Sequence, residues 1–385
     1  MATVADNNVT NEKILLVDDN PTNLQVLYQT LSGRGYKLLV AKNGESALAV
    51  ARKAAPHLIL LDIMMPDIDG YEVCRRLKED ENTSEIPIIF LSALDETEDK
   101  VRGLDLGAVD YIAKPFQADE VIARVNTHLT IYRLKREVEQ QKAELERELE
   151  IVSEVQRDLL PKQLPTIKGM KLAAYYKTSR YAGGDYYDII RLEDNQWGIM
   201  IADAEGHSAP AAVRMAMTCA LLRGYHESAT DPAALLRDVN ETLCDVMEGS
   251  FVTALYCVYD STLRSLRMAR AGHMPAVLCR PGEGRAVELS CDGVHPLGIF
   301  PYEHVPVTEA PLRSGDHVLF YTDGLTERFN PRGEMYGLDR LLTRFQGSTS
   351  SEPQEVLDAI MADAERFADG LPAEDDQALL LCVIE

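Results

Sequence analysis

Basic residues are scarce in this chain. Against 62 Asp and Glu stand 39 Lys and Arg, a formal net charge of -23. That balance argues against a nucleic-acid partner, because a phosphate backbone is met by clustered Lys and Arg. It also argues against an anionic membrane surface. No apolar run approaches the length a helix needs to cross a bilayer. No signal peptide is found, and residues 1–12 read as a short disordered tail. The seven cysteines (Cys74, Cys219, Cys244, Cys257, Cys279, Cys291 and Cys382) are scattered. None forms a Cys-x-x-Cys pair or stands at zinc-ligand spacing beside a histidine, so reduced thiols in a cytoplasmic protein are expected. Internal repeats and a Ser-His-Asp order are absent too. What is present is an apolar fraction of 46% over 385 residues, enough for packed cores and for two domains rather than one.

Residues 13–127 alternate strand and helix patterns. Lys13-Ile14-Leu15-Leu16-Val17-Asp18 and His57-Leu58-Ile59-Leu60-Leu61-Asp62 are apolar runs ending in acid, and two more short runs lie at Ile86–Ser92 and Asp110–Ile112. Continuous apolar runs suit strands buried on both faces of a parallel sheet, so a doubly wound α/β domain is expected. Over residues 128–165 the character changes. Leu134, Val138, Leu145, Val152, Val155 and Leu159 keep a 4-3-4-3 spacing that Gln141 and Glu148 interrupt, within strongly charged sequence. This predicts a helix continuing out of the first domain and pairing as a parallel coiled coil in a homodimer, the other reading being a solvated single helix. Pro161 and Pro165 stop it. Residues 166–385 carry strand patterns at Gln196–Asp203, Phe251–Asp260, Leu263–Ala271, His317–Asp323 and Gln377–Ile384. Helix patterns lie at Ala209–Tyr225, Pro232–Met247, Leu338–Phe345 and Gln354–Ala368, which predicts an α+β sandwich flanked by helices.

In the first domain Asp18 and Asp19 end one strand, Asp62 and Ser92 end two others, and Lys114 follows a fourth. Carboxyl ends of parallel strands share one edge, where ligands bind. Three carboxylates there would hold one Mg²⁺ and leave one free to attack phosphorus. Asp62 as nucleophile would form an aspartyl phosphate. Lys114 and the metal would offset charge on the transferring group, and Ser92 would hydrogen-bond a phosphate oxygen. Singly each is a commonplace loop acid or turn; the ordered set is specific. Val17-Asp18-Asp19, Leu61–Gly70, Leu91-Ser92-Ala93 and Tyr111–Phe116 make residues 13–127 resemble the CheY-like receiver domain of two-component response regulators. By that resemblance Asp62 is the phosphoacceptor, the Met64 carbonyl completes the Mg²⁺ shell, Tyr111 changes rotamer with Ser92, and a sensor histidine kinase or phosphotransfer protein is the partner.

Four further aspartates sit in the second domain. They are Asp185 in Gly183-Gly184-Asp185-Tyr186-Tyr187-Asp188, Asp203 in Ile201–His207, Asp323 in Tyr321-Thr322-Asp323-Gly324, and Asp375 in Asp375-Asp376-Gln377. Oxygen-only donors favour Mg²⁺ or Mn²⁺, and two such cations could activate a water and aim it at phosphorus. His207 and His273 add no obvious ligand. Together with Val155–Pro165, Phe251–Leu255, Ala271–Ala276, Pro296-Leu297-Gly298 and Leu325-Thr326-Glu327, these stretches resemble the bacterial PPM-type serine/threonine phosphatases of the SpoIIE/RsbU branch. The resemblance implies that Asp203 bridges two metals, with the Ala204 carbonyl, Asp185, Asp323 and Asp375 completing their shells; Asp376 is the competitor for the last place. Two departures from the pattern are Ser208, where Gly-His-Gly is usual, and Ala378, where Thr is usual.

The expectation is a cytoplasmic response regulator whose output is a metal-dependent protein phosphatase. The resemblance further implies a phosphorylated anti-anti-sigma (STAS) protein as substrate, in a sigma-factor partner-switching pathway. The competing reading is a phosphatase-like scaffold that binds a sigma factor or another partner for sequestration or degradation.

Overall fold

A computed structural model describes residues 12–92, 103–179, 182–206, 208–225, 227–247, 249–348 and 350–385. Residues 1–11 of the expected tail and His207 lie outside them. The chain divides into two compact units, Met1–Ala143 and Glu144–Glu385.

In the first unit β1 (Lys13–Val17), β2 (Lys37–Ala41), β3 (Leu58–Asp62), β4 (Ile88–Ser92) and β5 (Asp110–Ala113) form one parallel sheet in the order β2-β1-β3-β4-β5. The unbroken apolar runs have a direct cause. Ile14, Leu16, Leu58 and Leu60 pack with Leu24, Leu27, Val121 and Val125 on one face. Leu15, Val17, Ile59 and Leu61 pack with Ala47, Leu48, Val73 and Leu77 on the other. Alternate side chains thus enter opposite cores, so every position must be apolar. Local signals start the helices. Asn20, Asn43 and Asp69 cap α1 (Pro21–Leu31), α2 (Gly44–Ala54) and α3 (Gly70–Glu79) by accepting amide hydrogen bonds, and Pro21 opens α1.

The helix α4 runs unbroken from Ala118 to Leu159, 42 residues, and so takes in the last helix of the first unit and most of the expected linker. Leu134, Val138, Leu145 and Val155 of the 4-3-4-3 stripe are more than half exposed in the single chain.

The second unit is a sandwich. Its first sheet orders β13 (Gly293–Val294), β10 (Ser265–Ala271), β9 (Val252–Asp260), β8 (Gln196–Ala204) and β7 (Asp185–Arg191), with β14 (Thr308–Pro311) also on β10. The second orders β12 (Arg285–Glu288), β11 (Val277–Arg280), β15 (His317–Tyr321), β16 (Gln377–Ile384) and β6 (Met170–Lys177). Along β16, Leu380, Cys382 and Ile384 enter the core between the sheets. Leu379, Leu381 and Val383 face α8 (Leu338–Gln346) and α9 (Pro353–Ala368). The helices α5 (Ala209–Gly224) and α6 (Pro232–Val246) pack on the first sheet. Two expected elements are corrected. The strand expected to end at Asp323 stops at Tyr321, and Asp323 opens a short helix α7 (Asp323–Thr326). The strand expected from Leu263 begins at Ser265, because Leu263 is exposed at a turn whose Arg264 has φ 52°.

The strand end that carries Asp62 is held by a close approach. The Gly70 amide donates to the Ile63 carbonyl at 2.8 Å, and a Cβ at position 70 would overlap the Asp62 carbonyl. Gly70→Ala is therefore expected to destabilise the first unit by about 1–3 kcal/mol, the usual range for overpacking, read as a lower urea midpoint. An unchanged midpoint would mean that the α3 start moves freely from β3.

Candidate functional site

The carboxyl edge of the parallel sheet gathers Asp18, Asp19 and Asp62, with one oxygen of each within 4.8 Å of the others. Asp18 and Asp62 are buried and Asp19 is exposed. Lys114 reaches in from the end of β5, its Nζ 2.8 Å from Asp18 Oδ2 and 2.8 Å from Asp62 Oδ2. Burial pushes the Asp62 carboxyl above its ordinary pKa, and the ammonium of Lys114 opposes that shift. One lysine thus faces two buried acids, and a hard cation fits the remainder. Ser92 is buried at the end of β4, and the Met64 amide lies 3.4 Å from Asp62 Oδ1. A residue absent from the sequence reading also belongs here. The Asn23 side-chain amide donates to both Asp18 oxygens, at 3.1 and 3.0 Å, from the first turn of α1. Only the capped start of α1 turns it toward β1, so no local pattern marks it.

In the second unit the antiparallel register sets Asp185 on β7 opposite Asp203 on β8. Burial drives the Asp185 carboxyl well above the carboxylate range, and Asp203 adds to the shift. Asp203 itself is pushed up to about 8, first by burial and then by Asp323 and Asp375. Asp323 rises to about 6, through burial and then Asp375. These acids destabilise one another's charged forms, as expected of a site designed around cations. Among the described residues, three carboxylates approach within 4.8 Å only at Asp18, Asp19 and Asp62.

The acids are positioned by specific neighbours. Thr322 Oγ1 donates to Asp185 Oδ2 at 2.6 Å and accepts from the Ala378 amide at 2.9 Å. A hydroxyl therefore reaches Asp185 from β15's end, although position 378 itself carries none. Asp376 is occupied on both oxygens: Oδ1 accepts from the Ser179 amide at 2.8 Å and Oδ2 from the Gly184 amide at 2.7 Å. A Cβ at Gly183 would overlap that carboxylate, and one at Gly184 would overlap the Ala204 carbonyl. The glycine pair is thus the space through which Asp376 and the β8 end grip the loop before Asp185. Asp375, its neighbour, accepts from the Asp376 amide at 2.8 Å through Oδ1 and acts electrostatically on Asp203 and Asp323, whereas Asp376 acts on Asp185 and Asp203. His273 is structural. Its Nε2 donates to the Tyr321 carbonyl at 3.2 Å, which leaves Nδ1 to accept from Thr253 Oγ1 at 2.8 Å. Burial lowers its pKa to about 4, so it stays neutral.

Two further side chains tie α4 to this loop. Gln156 is buried and clasps Gly183 from both sides: its Nε2 donates to the Gly183 carbonyl at 2.5 Å, and its Oε1 accepts from the Gly183 amide at 3.0 Å. Arg223 bridges Asp188 Oδ2 at 2.8 Å and the Leu159 carbonyl at 2.9 Å. The sequence reading placed Gln156 and Asp188 inside motifs without giving either a contact.

Two family models match the chain. Stage II sporulation protein E (SpoIIE) covers residues 193–385, and the response regulator receiver domain covers residues 14–126. A probable transcriptional regulator ycf27 of Pyropia yezoensis is 47% identical over 118 residues, 31% of this chain and 47% of its own. The DNA-binding dual master transcriptional regulator RpaA of Synechocystis is 42% identical over 117 residues, 30% of this chain and 48% of its own. The chain thus spans about half the length of these curated relatives. Among solved structures, the SiaA-PP2C domain of Pseudomonas aeruginosa aligns with TM-score 0.58 at 21% identity, over 64% of this chain and 98% of that one. The RsbU and RsbW domains of a Mycobacterium tuberculosis protein align with TM-score 0.51 at 25% identity, over 59% of this chain and 63% of theirs. At 21% identity the first likeness shows the fold alone.

The adjacent acids 375 and 376 separate in a chelator-containing unfolding experiment. Asp376→Ala strands the Ser179 and Gly184 amides and is expected to cost about 1–3 kcal/mol for each left unsatisfied. Asp375→Ala removes a repelling charge and strands only the Asp376 amide, so its midpoint should fall less than that of Asp376→Ala. Equal losses in the two variants would contradict this division.

Proposed function

This chain belongs to the SpoIIE family and carries a response-regulator receiver ahead of that domain, and we propose that it is a phosphorylation-controlled, metal-dependent protein serine/threonine phosphatase. In this reading the receiver occupies residues 13–127, a helical linker 128–165 and the phosphatase 166–385. The observation that carries it is the β7–β8 register that sets Asp185 opposite Asp203, where burial and then the neighbouring acids raise the carboxyls and no Lys or Arg of the described residues is among the main groups acting on them. Asp203 would be shared between two Mg²⁺ or Mn²⁺ ions, with Asp185, Asp323, Asp375 and the Ala204 carbonyl as further ligands. When bound, such ions supply an activated water and neutralise charge on phosphorus. The protein's own part is positioning. Thr322 orients Asp185 through its hydrogen bond, and Asp376 holds the glycine loop that brings Asp185 to Asp203. Burial keeps His273 neutral, and hydrogen bonds on both nitrogens keep it out of the ligand set.

In the receiver, Asp62 would accept a phosphoryl group from a histidine kinase or phosphotransfer protein, with Mg²⁺ held by Asp18, Asp19, Asp62 and the Met64 carbonyl. Lys114 would neutralise the phosphoryl oxygens and Ser92 would hydrogen-bond one of them. The signal would travel along α4, because Gln156 on that helix holds the loop next to Asp185. The exposed stripe on α4 is the surface through which two chains would pair. A phosphorylated STAS-type protein is the substrate we favour, in a cytoplasmic partner-switching pathway. The scaffold reading has no specific observation behind it, since every proposed ligand position keeps an oxygen donor.

Hydrolysis of an aryl phosphate with Mn²⁺ tests the enzyme. Asp203→Ala should lower turnover by at least about a hundredfold while the thermal midpoint in chelator holds or rises; retained turnover would reject the metal mechanism. Asp62→Ala should abolish labelling by a small-molecule phosphodonor and keep basal hydrolysis, and a labelled variant would reject Asp62 as acceptor. Loading the receiver with beryllofluoride gives the sign of control, and identical rates with and without it would remove the regulatory link.

A further inference from the structure

A phosphomonoester brings negative charge to a site that is itself made of acids. Burial and then neighbouring acids raise Asp185, Asp203 and Asp323, burial raises Asp376 against two amide hydrogen bonds, and no basic side chain of the described residues is among the main groups acting on them. Among the described residues one guanidinium nevertheless reaches the loop that follows Asp203. Arg214, half-buried in the second turn of α5, donates from Nη1 to the Glu205 carbonyl at 2.7 Å. That carbonyl lies two residues beyond Asp203 and one peptide beyond the Ala204 carbonyl. The bond uses one of the five donors a guanidinium offers. Among the described residues Arg214 forms no ion pair, in a chain where acids outnumber bases 62 to 39. A cation left without a carboxylate in such surroundings, and fixed by its other edge to the loop after Asp203, suits an incoming anion.

We propose that Arg214 is the substrate-binding residue that receives the phosphoryl oxygens of a phosphoserine or phosphothreonine side chain. The inference rests on the phosphatase reading and deepens it. A guanidinium meets a phosphoryl group with two parallel N–H donors, which a lysine cannot reproduce. Its anchorage to Glu205 pre-orients the fork, so little side-chain freedom is lost on binding. Arg214 takes no part in bond making. It lowers the concentration at which substrate occupies the site.

The test uses the full chain with Mn²⁺ and inorganic phosphate as probe, followed by calorimetry, so that no turnover is needed. Phosphate affinity is expected to fall about tenfold or more in Arg214→Met and to be partly restored in Arg214→Lys, in keeping with loss of a charge-assisted contact. Mn²⁺ affinity should be the same in all three proteins, which separates a phosphate contact from a merely loop-holding role. With aryl phosphate, KM should rise in Arg214→Met while kcat changes little. Equal phosphate binding by wild type and Arg214→Met, absence of phosphate binding by wild type, or joint loss of Mn²⁺ and phosphate would each overturn the proposal. Failure of the phosphatase reading shows separately, as aryl phosphate hydrolysis that survives Asp203→Ala.

Discussion

The burial of carboxylates beside one another is the constraint on which both sites depend. Like charges about 4 Å apart repel by roughly 4 kcal/mol at the effective dielectric of a protein surface, so such acids do not gather unless the fold forces them together. In the second unit the β7–β8 register does this, setting Asp185 opposite Asp203. The pair cannot separate without unzipping a strand from a sheet whose other neighbours are buried. Asp323 is brought up by the short helix that follows β15, and Asp375 by the segment leading into β16. The stability of the sandwich core maintains the repulsion, and a site so strained gains most from divalent cations.

The receiver solves the same problem differently. Lys114 already spans Asp18 and Asp62, so part of the charge is balanced within the protein. Asp62 still has a raised pKa because burial outweighs the ammonium. A partly compensated carboxylate suits a nucleophile that must accept a phosphoryl group and later lose it. Among the described residues no lysine or arginine is a main group acting on the acids of the other site. Among the described residues the two constellations share a residue type and differ in the lysine that only the first contains.

Backbone contacts connect ligands to scaffold. Asp376 and Gln156 hold Gly184 and Gly183 from opposite directions, one from the segment beside Asp375 and one from the end of α4. The buried Asp188, the acid three residues after Asp185, pairs with Arg223, which also holds the Leu159 carbonyl. The motif Gly183–Asp188 therefore serves two ends: its first acid stands opposite Asp203, and its last, through Arg223, holds the C-terminal end of α4.

The sequence by itself determined the elements and most of the chemistry. Apolar runs ending in Asp18 and Asp62 marked doubly buried strands, because alternate side chains of a parallel sheet enter two cores. Gln377–Ile384 was legible to the residue for a related reason, with one face of β16 meeting the other sheet and the other face meeting helices. Motif spacing also singled out the acids, since hard cations demand oxygen donors whatever the fold. Tertiary structure alone decided which acid does what. Asp375 and Asp376 are identical in type and adjacent, yet Asp376 is the one held by the amides of Ser179 and Gly184, nearly two hundred residues earlier in the chain, while Asp375 is the one that acts on both Asp203 and Asp323. Asn23, Thr322, Gln156 and Arg214 were likewise invisible as contacts, because a hydrogen bond between distant segments leaves no local period or spacing in the chain.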